Sequence, residues 1–165
     1  MKVFRERLQA ALQPLSGPAG RRWIYVAYDQ LTDSYGPLSN SPAEELAIIL
    51  VENPDKAARR PYHKQKLAYV LSNMRHFALE QAARGVWVEY LIGGGSYASI
   101  LEPFLRKVGP AEVMRPAEWE LRQELSCLFE QGLPREVPHG GWLSSTQQFL
   151  ELGPAPWRMD AFYRV

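Results

Sequence analysis

Six consecutive apolar residues, Leu46 to Val51 (LAIILV), constrain this chain more than any other stretch. A strand that is apolar on both sides has to be covered on both faces. That is the habit of a parallel strand inside an α/β sheet, not of a half-wet antiparallel one. The remaining sequence alternates to match. Trp23 to Ala27 reads as strand one, with LAIILV as strand two, Val86 to Ile92 as strand three, Val113-Met114 as a short fourth and Glu136-Val137 as a fifth. Helical periodicity fills the gaps at about 61–83, 96–108 and 117–131, the last with Trp119, Leu121, Leu125, Leu128 and Phe129 inward. Ser144 or Ser145 caps a final helix that runs to about Leu152. Strands alternating with helices predict a Rossmann-like open parallel five-stranded sheet with helices on both faces, in the order 3-2-1-4-5.

Residues 2 to 13 form a separate amphipathic pattern, with Val3, Phe4, Leu8, Ala11 and Leu12 at helical spacing. Pro14 to Gly20 then breaks it. The chain therefore divides into a helix and linker at 1–21, an α/β domain at 22–152 and a proline-broken tail at 153–165.

Composition excludes several classes. A content of 46% hydrophobic and 22% charged residues is globular. A net charge of +1 lacks the electrostatic footprint of a dedicated nucleic-acid binder, so direct DNA binding by this domain is not expected. No run approaches the about 20 apolar residues of a membrane helix. The amino end has no signal-peptide pattern, so a reducing cytoplasm is the expected location. The single cysteine, Cys127, sits in a helical pattern and is expected to be a buried small hydrophobe. His63, His76 and His139 have no partners at zinc spacing, and no metal site is expected. Signatures of a hydrolytic nucleophile are also missing.

The long helix opens with Tyr62 to Phe77, YHKQKLAYVLSNMRHF. Leu67, Val70, Leu71, Met74, Phe77 and Ala78 make one apolar stripe, read as core. His63, Lys64 and Lys66 crowd its first turn, where the helix dipole disfavours cations unless an anion lies nearby. Two readings stand: an anion site, or a solvated basic turn. Gly93-Gly94-Gly95-Ser96 matches neither dinucleotide nor phosphate-loop spacing and reads as a turn and helix cap.

In an open parallel sheet, ligands bind beyond the carboxyl ends of the strands at the point where strand order reverses. Tyr28-Asp29-Gln30, Glu52-Asn53 and Arg115 to Trp119 follow strands one, two and four. Asp29, Gln30, Glu118 and Trp119 are expected to share one crevice. Gln30 and Asp29 suit hydrogen bonds to a polar heterocycle, and Trp119 or Tyr28 offers a flat apolar surface. The competing readings are Asp29 as a loop cap and Trp119 as core.

The chain resembles the photolyase-related proteins, the bacterial and archaeal iron–sulphur branch of the cryptochrome/photolyase family. The resemblance rests on YHKQKLAYVLSNMRHF, Tyr28-Asp29-Gln30-Leu31, Pro116-Ala117-Glu118-Trp119, Trp142-Leu143-Ser144-Ser145 and Met159 to Arg164 (MDAFYR), in that family's order and approximate spacing. It covers roughly residues 23 to 165. The opening helix departs from the family, whose members begin at the first strand.

The resemblance implies an α/β domain that carries an antenna chromophore, 6,7-dimethyl-8-ribityllumazine. FAD, the iron–sulphur cluster and most of the DNA-binding surface are implied for a helical half that these residues do not include. Residues 153–165 are then the start of the connector to it. On this view the chain is not catalytic alone and works with the helical half in cis or trans. Asp29, Gln30 and Glu52 match the loops that line the antenna pocket. After strand two, where the family commonly has an acidic residue and then a tyrosine, this chain has Lys56 and Arg59. That departure fits a more anionic ligand, or the loss of lumazine binding. The expected ligand-binding set is Tyr28, Asp29, Gln30, Glu52, Asn53, Lys56, His63, Lys66, Glu118 and Trp119.

Two other classes compete. One is a free-standing nucleotide-binding domain that takes phosphates near His63. The other is a docking module that uses Trp157, Met159, Phe162 and Tyr163, with homodimerisation through residues 154–165.

Overall fold

A computed structural model describes residues 1–58 and 62–151. The expected tail contacts and Arg59 lie outside the described residues. The elements run α1 (Lys2–Leu12), β1 (Arg22–Tyr25), a 3-10 turn (Ala43–Glu45), β2 (Leu46–Glu52), α2 (Pro54–Ala58), α3 (Lys64–Ala83), β3 (Trp87–Ile92), α4 (Tyr97–Val108), β4 (Ala111–Met114), α5 (Trp119–Glu130), β5 (Pro134–Val137) and α6 (Thr146–Leu150). The sheet has five parallel strands in the order β3-β2-β1-β4-β5, as the sequence predicts. The strand order reverses between β1 and β4.

Every residue of β2 is buried, which is why the strand tolerates no polar alternation. Its residues divide by parity between two cores. Ala47, Ile49 and Val51 join Trp23 and Tyr25 of β1 against Leu101 and Leu105 of α4 and Leu121, Leu125 and Leu128 of α5. Leu46, Ile48 and Leu50 join Ile24 and Val26 against Phe77, Ala78 and Ala82 of α3. This period of two on the strands, matched to helices on each side, makes the three-layer sandwich.

The β1–β2 connection contains only the short 3-10 turn. The second helix on that face is α1, which buries Phe4 and Leu8 beside α3. Phe4 meets the Tyr90 ring edge-on at 4.7 Å, and the Arg75 guanidinium lies over the Phe4 ring. Arg21 fastens the segment after α1. Its guanidinium donates to the carbonyls of Gly17 (2.8 Å), Leu46 (3.1 Å) and Gly85 (2.8 Å).

Three expectations are corrected. Cys127 is exposed, because Leu121, Leu125 and Leu128 fix the buried face of α5 and position 127 falls away from it. Trp119 is 64% exposed for the same reason, at the first position of that helix. The apolar stripe of α3 is core only in part. Met74, Phe77 and Ala78 are buried, whereas Leu67, Val70 and Leu71 are half-buried. The helix α2 has no counterpart in the sequence reading, since five residues are too few to show a period. Among the described residues, no helix is long and apolar enough to cross a membrane, and no cluster of metal-ligating side chains occurs.

Candidate functional site

The half-buried part of the α3 stripe has a purpose in the geometry. Leu67, Val70, Leu71 and Met74 wall a cavity of about 180 Å³ at the carboxyl ends of the strands. Its other lining comes from four connections: Tyr28 after β1, Asn53, Lys56 and Ala57 after β2, Tyr97 after β3 and Glu118 after β4. Tyr62 and Lys66 complete it at the amino end of α3.

Asn53 lies between β2 and α2. Its side-chain carbonyl accepts from the backbone N–H of Asp55 at 3.0 Å and of Lys56 at 3.4 Å, and its amide donates to the Gly95 carbonyl at 2.9 Å. The Asp55 carboxylate in turn accepts from the Gly95 N–H at 2.7 Å. A side chain at position 94 would strike that carboxylate, since a Cβ there would lie 2.5 Å from its Oδ2. The glycine run is thus a turn, with Ser96 capping α4 by accepting from the Ser99 N–H. Its Gly95 amide already holds an anion, and that anion is the protein's own Asp55. The consequence for the site is that α2 is clamped and Lys56 is aimed into the cavity.

There, the Lys56 ammonium contacts the Glu118 carboxylate and donates to the Tyr28 hydroxyl at 2.8 Å. The Tyr28 hydroxyl donates to the same Glu118 oxygen. Lys56 also lies 4.7 Å from the centre of the Tyr28 ring and 5.6 Å from that of Tyr97, and the two rings stack at 6.0 Å and 27°. Burial, then the hydrogen bond to Glu118, push the Tyr28 phenol well above its ordinary pKa, so it acts as a donor at any physiological pH. Glu118 stands at the N-cap position of α5 and makes no side-chain cap bond there.

The other expected residues go elsewhere. Glu52 turns to the α3 face, where Arg75 grips it at 2.7 and 3.1 Å and the Tyr90 hydroxyl donates to it at 2.8 Å. Gln30 is buried, donates to the Arg115 carbonyl at 2.7 Å and lines a separate void of about 10 Å³. Asp29 is exposed and lines neither space. The Trp119 ring lies under the Arg122 guanidinium, outside the cavity lining. His63 is the N-cap of α3, its Nδ1 accepting from the Gln65 N–H at 3.3 Å. Of the expected set, the cavity gathers Tyr28, Asn53, Lys56, Lys66 and Glu118. Tyr97, Tyr62 and the Leu67–Leu71 wall escaped the sequence reading. Tyr97 was findable, since it follows the cap after strand three and carboxyl ends are where sites form.

The site can hold a small flat ring. It has an apolar wall, a stacked aromatic pair and one polar corner with paired charges. Its volume is below the roughly 300–1,000 Å³ of pockets for drug-sized ligands, which limits it to one ring system.

Comparison with known proteins adds the family. The model of the deoxyribodipyrimidine photo-lyase-related protein family matches residues 24–165. A (6-4) photolyase of Agrobacterium fabrum (strain C58 / ATCC 33970) is 29% identical over 109 residues, covering 62% of this chain and 22% of that relative. The match thus spans less than a quarter of the relative's length.

Proposed function

The chain belongs to the deoxyribodipyrimidine photo-lyase-related protein family, and from that premise we propose that it is the antenna-chromophore-binding domain of a photolyase-type DNA-repair system. The observation that carries this reading is the cavity at the carboxyl ends of β1, β2 and β4, with its half-buried aliphatic wall on α3. A core helix would have closed over that space. The bound group is a lumazine-type ring, 6,7-dimethyl-8-ribityllumazine being the reference compound.

The donor set fits such a ring. Leu67, Val70 and Leu71 exclude water from its face, Tyr28 and Tyr97 supply aromatic contact, and Lys56 and Glu118 meet its polar edge. A polar side chain on the ring would run out toward the exposed Lys66. When bound, the chromophore absorbs near-visible light and passes excitation energy to a flavin. We assign the flavin, the iron–sulphur cluster and the repair step to a helical region acting in cis or trans, with this domain not catalytic by itself.

The test is a titration of the purified chain with 6,7-dimethyl-8-ribityllumazine, followed by fluorescence, on wild type and Val70→Trp. Saturable binding that the cavity-filling variant abolishes is the expected result. Binding that Val70→Trp leaves intact would move the ligand out of this cavity. Thermal stabilisation by a nucleotide and not by the lumazine would favour the nucleotide-binding alternative.

A further inference from the structure

Glu52 is the last residue of β2, and its carboxylate is drawn to the α3 face at 9% side-chain exposure. Arg75 holds both carboxylate oxygens, through Nη2 at 2.7 Å and Nε at 3.1 Å, and the Tyr90 hydroxyl donates to one of them at 2.8 Å. The attraction in such a pair depends on how well water is kept from it, because water screens charge far more than a protein interior does. The cover comes from α1. Buried Phe4 sets its ring edge-on to Tyr90 at 4.7 Å and under the Arg75 guanidinium at 6.0 Å. Both groups that grip Glu52 therefore pack against Phe4.

Both walls of the strand-end cavity adjoin this cluster. On one side, Asn53 follows Glu52 and organises the turn that starts α2, which carries Lys56 and Ala57 to the cavity. The Glu52 carbonyl also accepts from the Gly93 N–H at 3.3 Å, so the same residue anchors the glycine turn that clamps α2. On the other side, Arg75 lies about one turn along α3 from Leu71. Leu71 lines the cavity. It also lines a groove of about 460 Å³ between α1 and α3, together with Phe4 and Arg75. Release of α1 would open that groove to water directly behind the cavity wall.

We propose that docking of α1 controls the strand-end cavity, with Phe4 as the positioning residue: by covering Arg75 and Tyr90 it keeps the Glu52 cluster dry and holds the α2 and α3 walls in place. Phe4 itself does not line the cavity. It lies before residue 24, where the family match begins, so family membership does not predict this contact. The two-state element is α1, docked or released, since the Pro14 to Gly20 linker alone joins it to the sheet. A ligand that needs the formed cavity binds the docked state better, and by linkage it tightens α1 docking by the same factor. The control rests on the cavity being the ligand site, as the antenna reading has it, and not on which ring fills it.

The experiment reads hydrogen exchange by mass spectrometry on the full chain, for wild type, Phe4→Ala and Phe4→Leu, with and without 6,7-dimethyl-8-ribityllumazine. In the free chain, Phe4→Ala is expected to speed exchange in residues 2–12, 52–58 and 64–71, and to leave β4 and α5 at the wild-type rate. Phe4→Leu keeps an apolar cover and is expected to recover most of the protection. Faster exchange in α1 alone would overturn the proposal by separating α1 from the cavity. A uniform rise that includes β4 and α5 would overturn it by making Phe4 a general core residue. Fluorescence titration supplies the ligand arm. The lumazine is expected to bind Phe4→Ala at least about fivefold more weakly, the low end of usual coupling between sites, and to slow exchange in α1 of the wild type. Equal affinity for wild type and Phe4→Ala would overturn the coupling and leave the antenna reading standing. No lumazine binding to the wild type, with the expected exchange pattern in the free chain, would sink the antenna reading and support the control by α1.

Discussion

The two halves of α3 share one apolar period and have different fates. Phe77, Ala78 and Ala82 in the carboxyl half are buried against the sheet, while Leu67, Val70 and Leu71 in the amino half face an open cavity, with buried Met74 at the boundary as part of its wall. The difference comes from what lies beneath. The carboxyl half packs over β1 and β2, and the amino half overhangs the strand ends, where α2 and the Tyr28 loop stand off from it. Periodicity reports which side of a helix is apolar, and says nothing about whether that side has been filled.

The sharpest way to break this comparison is to truncate each half. Phe77→Ala should cost about 3–5 kcal/mol in urea unfolding, the usual range for deleting a buried aromatic side chain. Leu71→Ala should cost well under half of that, because its side chain already borders open space. Equal losses would mean that the amino half is packed as tightly as the carboxyl half.

The two glutamates that end strands or start helices on the two sides of the site give the next test. Removing Arg75 by Arg75→Met leaves Glu52, at 9% side-chain exposure, with the Tyr90 hydroxyl as its remaining side-chain partner among the described residues. A loss of about 3 kcal/mol is expected, toward the lower end for breaking a buried pair. Lys56→Met should cost less, because Glu118 keeps the Tyr28 hydroxyl and is more exposed than Glu52, at 25% against 9%. A reversal of that order would make the cavity pair the structural one.

The smallest effect is in pH. The folded-state pKa of Tyr28 is raised, by burial first and the Glu118 hydrogen bond second. Above the unfolded value of about 10 the unfolded chain loses this proton while the native state keeps it, so native stability falls as pH rises further. Tyr28→Phe should therefore show a shallower alkaline decline in melting temperature between about pH 9 and 11. An unchanged slope would place Tyr28 in water.

Strand order was legible because LAIILV demanded a parallel sheet and the helices between strands demanded crossovers. The reversal point then directed attention to Asp29, Gln30, Glu118 and Trp119, of which Glu118 alone lines the cavity, while Lys56 was picked out by the family resemblance. What remained hidden depended on side-chain direction. Nothing in the spacing shows that Glu52 turns toward Arg75, or that Glu118 abandons its cap for Lys56. Trp119 and Cys127 were misplaced by residue type, since the Leu121, Leu125 and Leu128 period sets both away from the buried face. The α2 turn was too short to announce itself, yet it delivers the only lysine that touches Glu118 among the described contacts.

The helix α1 occupies its place without being a crossover. It lies before residue 24, where the family match begins, and it is joined to the sheet by one tether, while α3 is held at both ends. Its grip on Tyr90 and Arg75 is therefore an association at high effective concentration, not a topological necessity. Cutting the backbone in the Pro14 to Gly20 linker would separate an α/β unit, with an apolar groove over β3, from the segment whose Phe4 and Leu8 fill it. Reassembly of the domain from the two pieces is the expected outcome, with α1 acting as a resident ligand of the sheet.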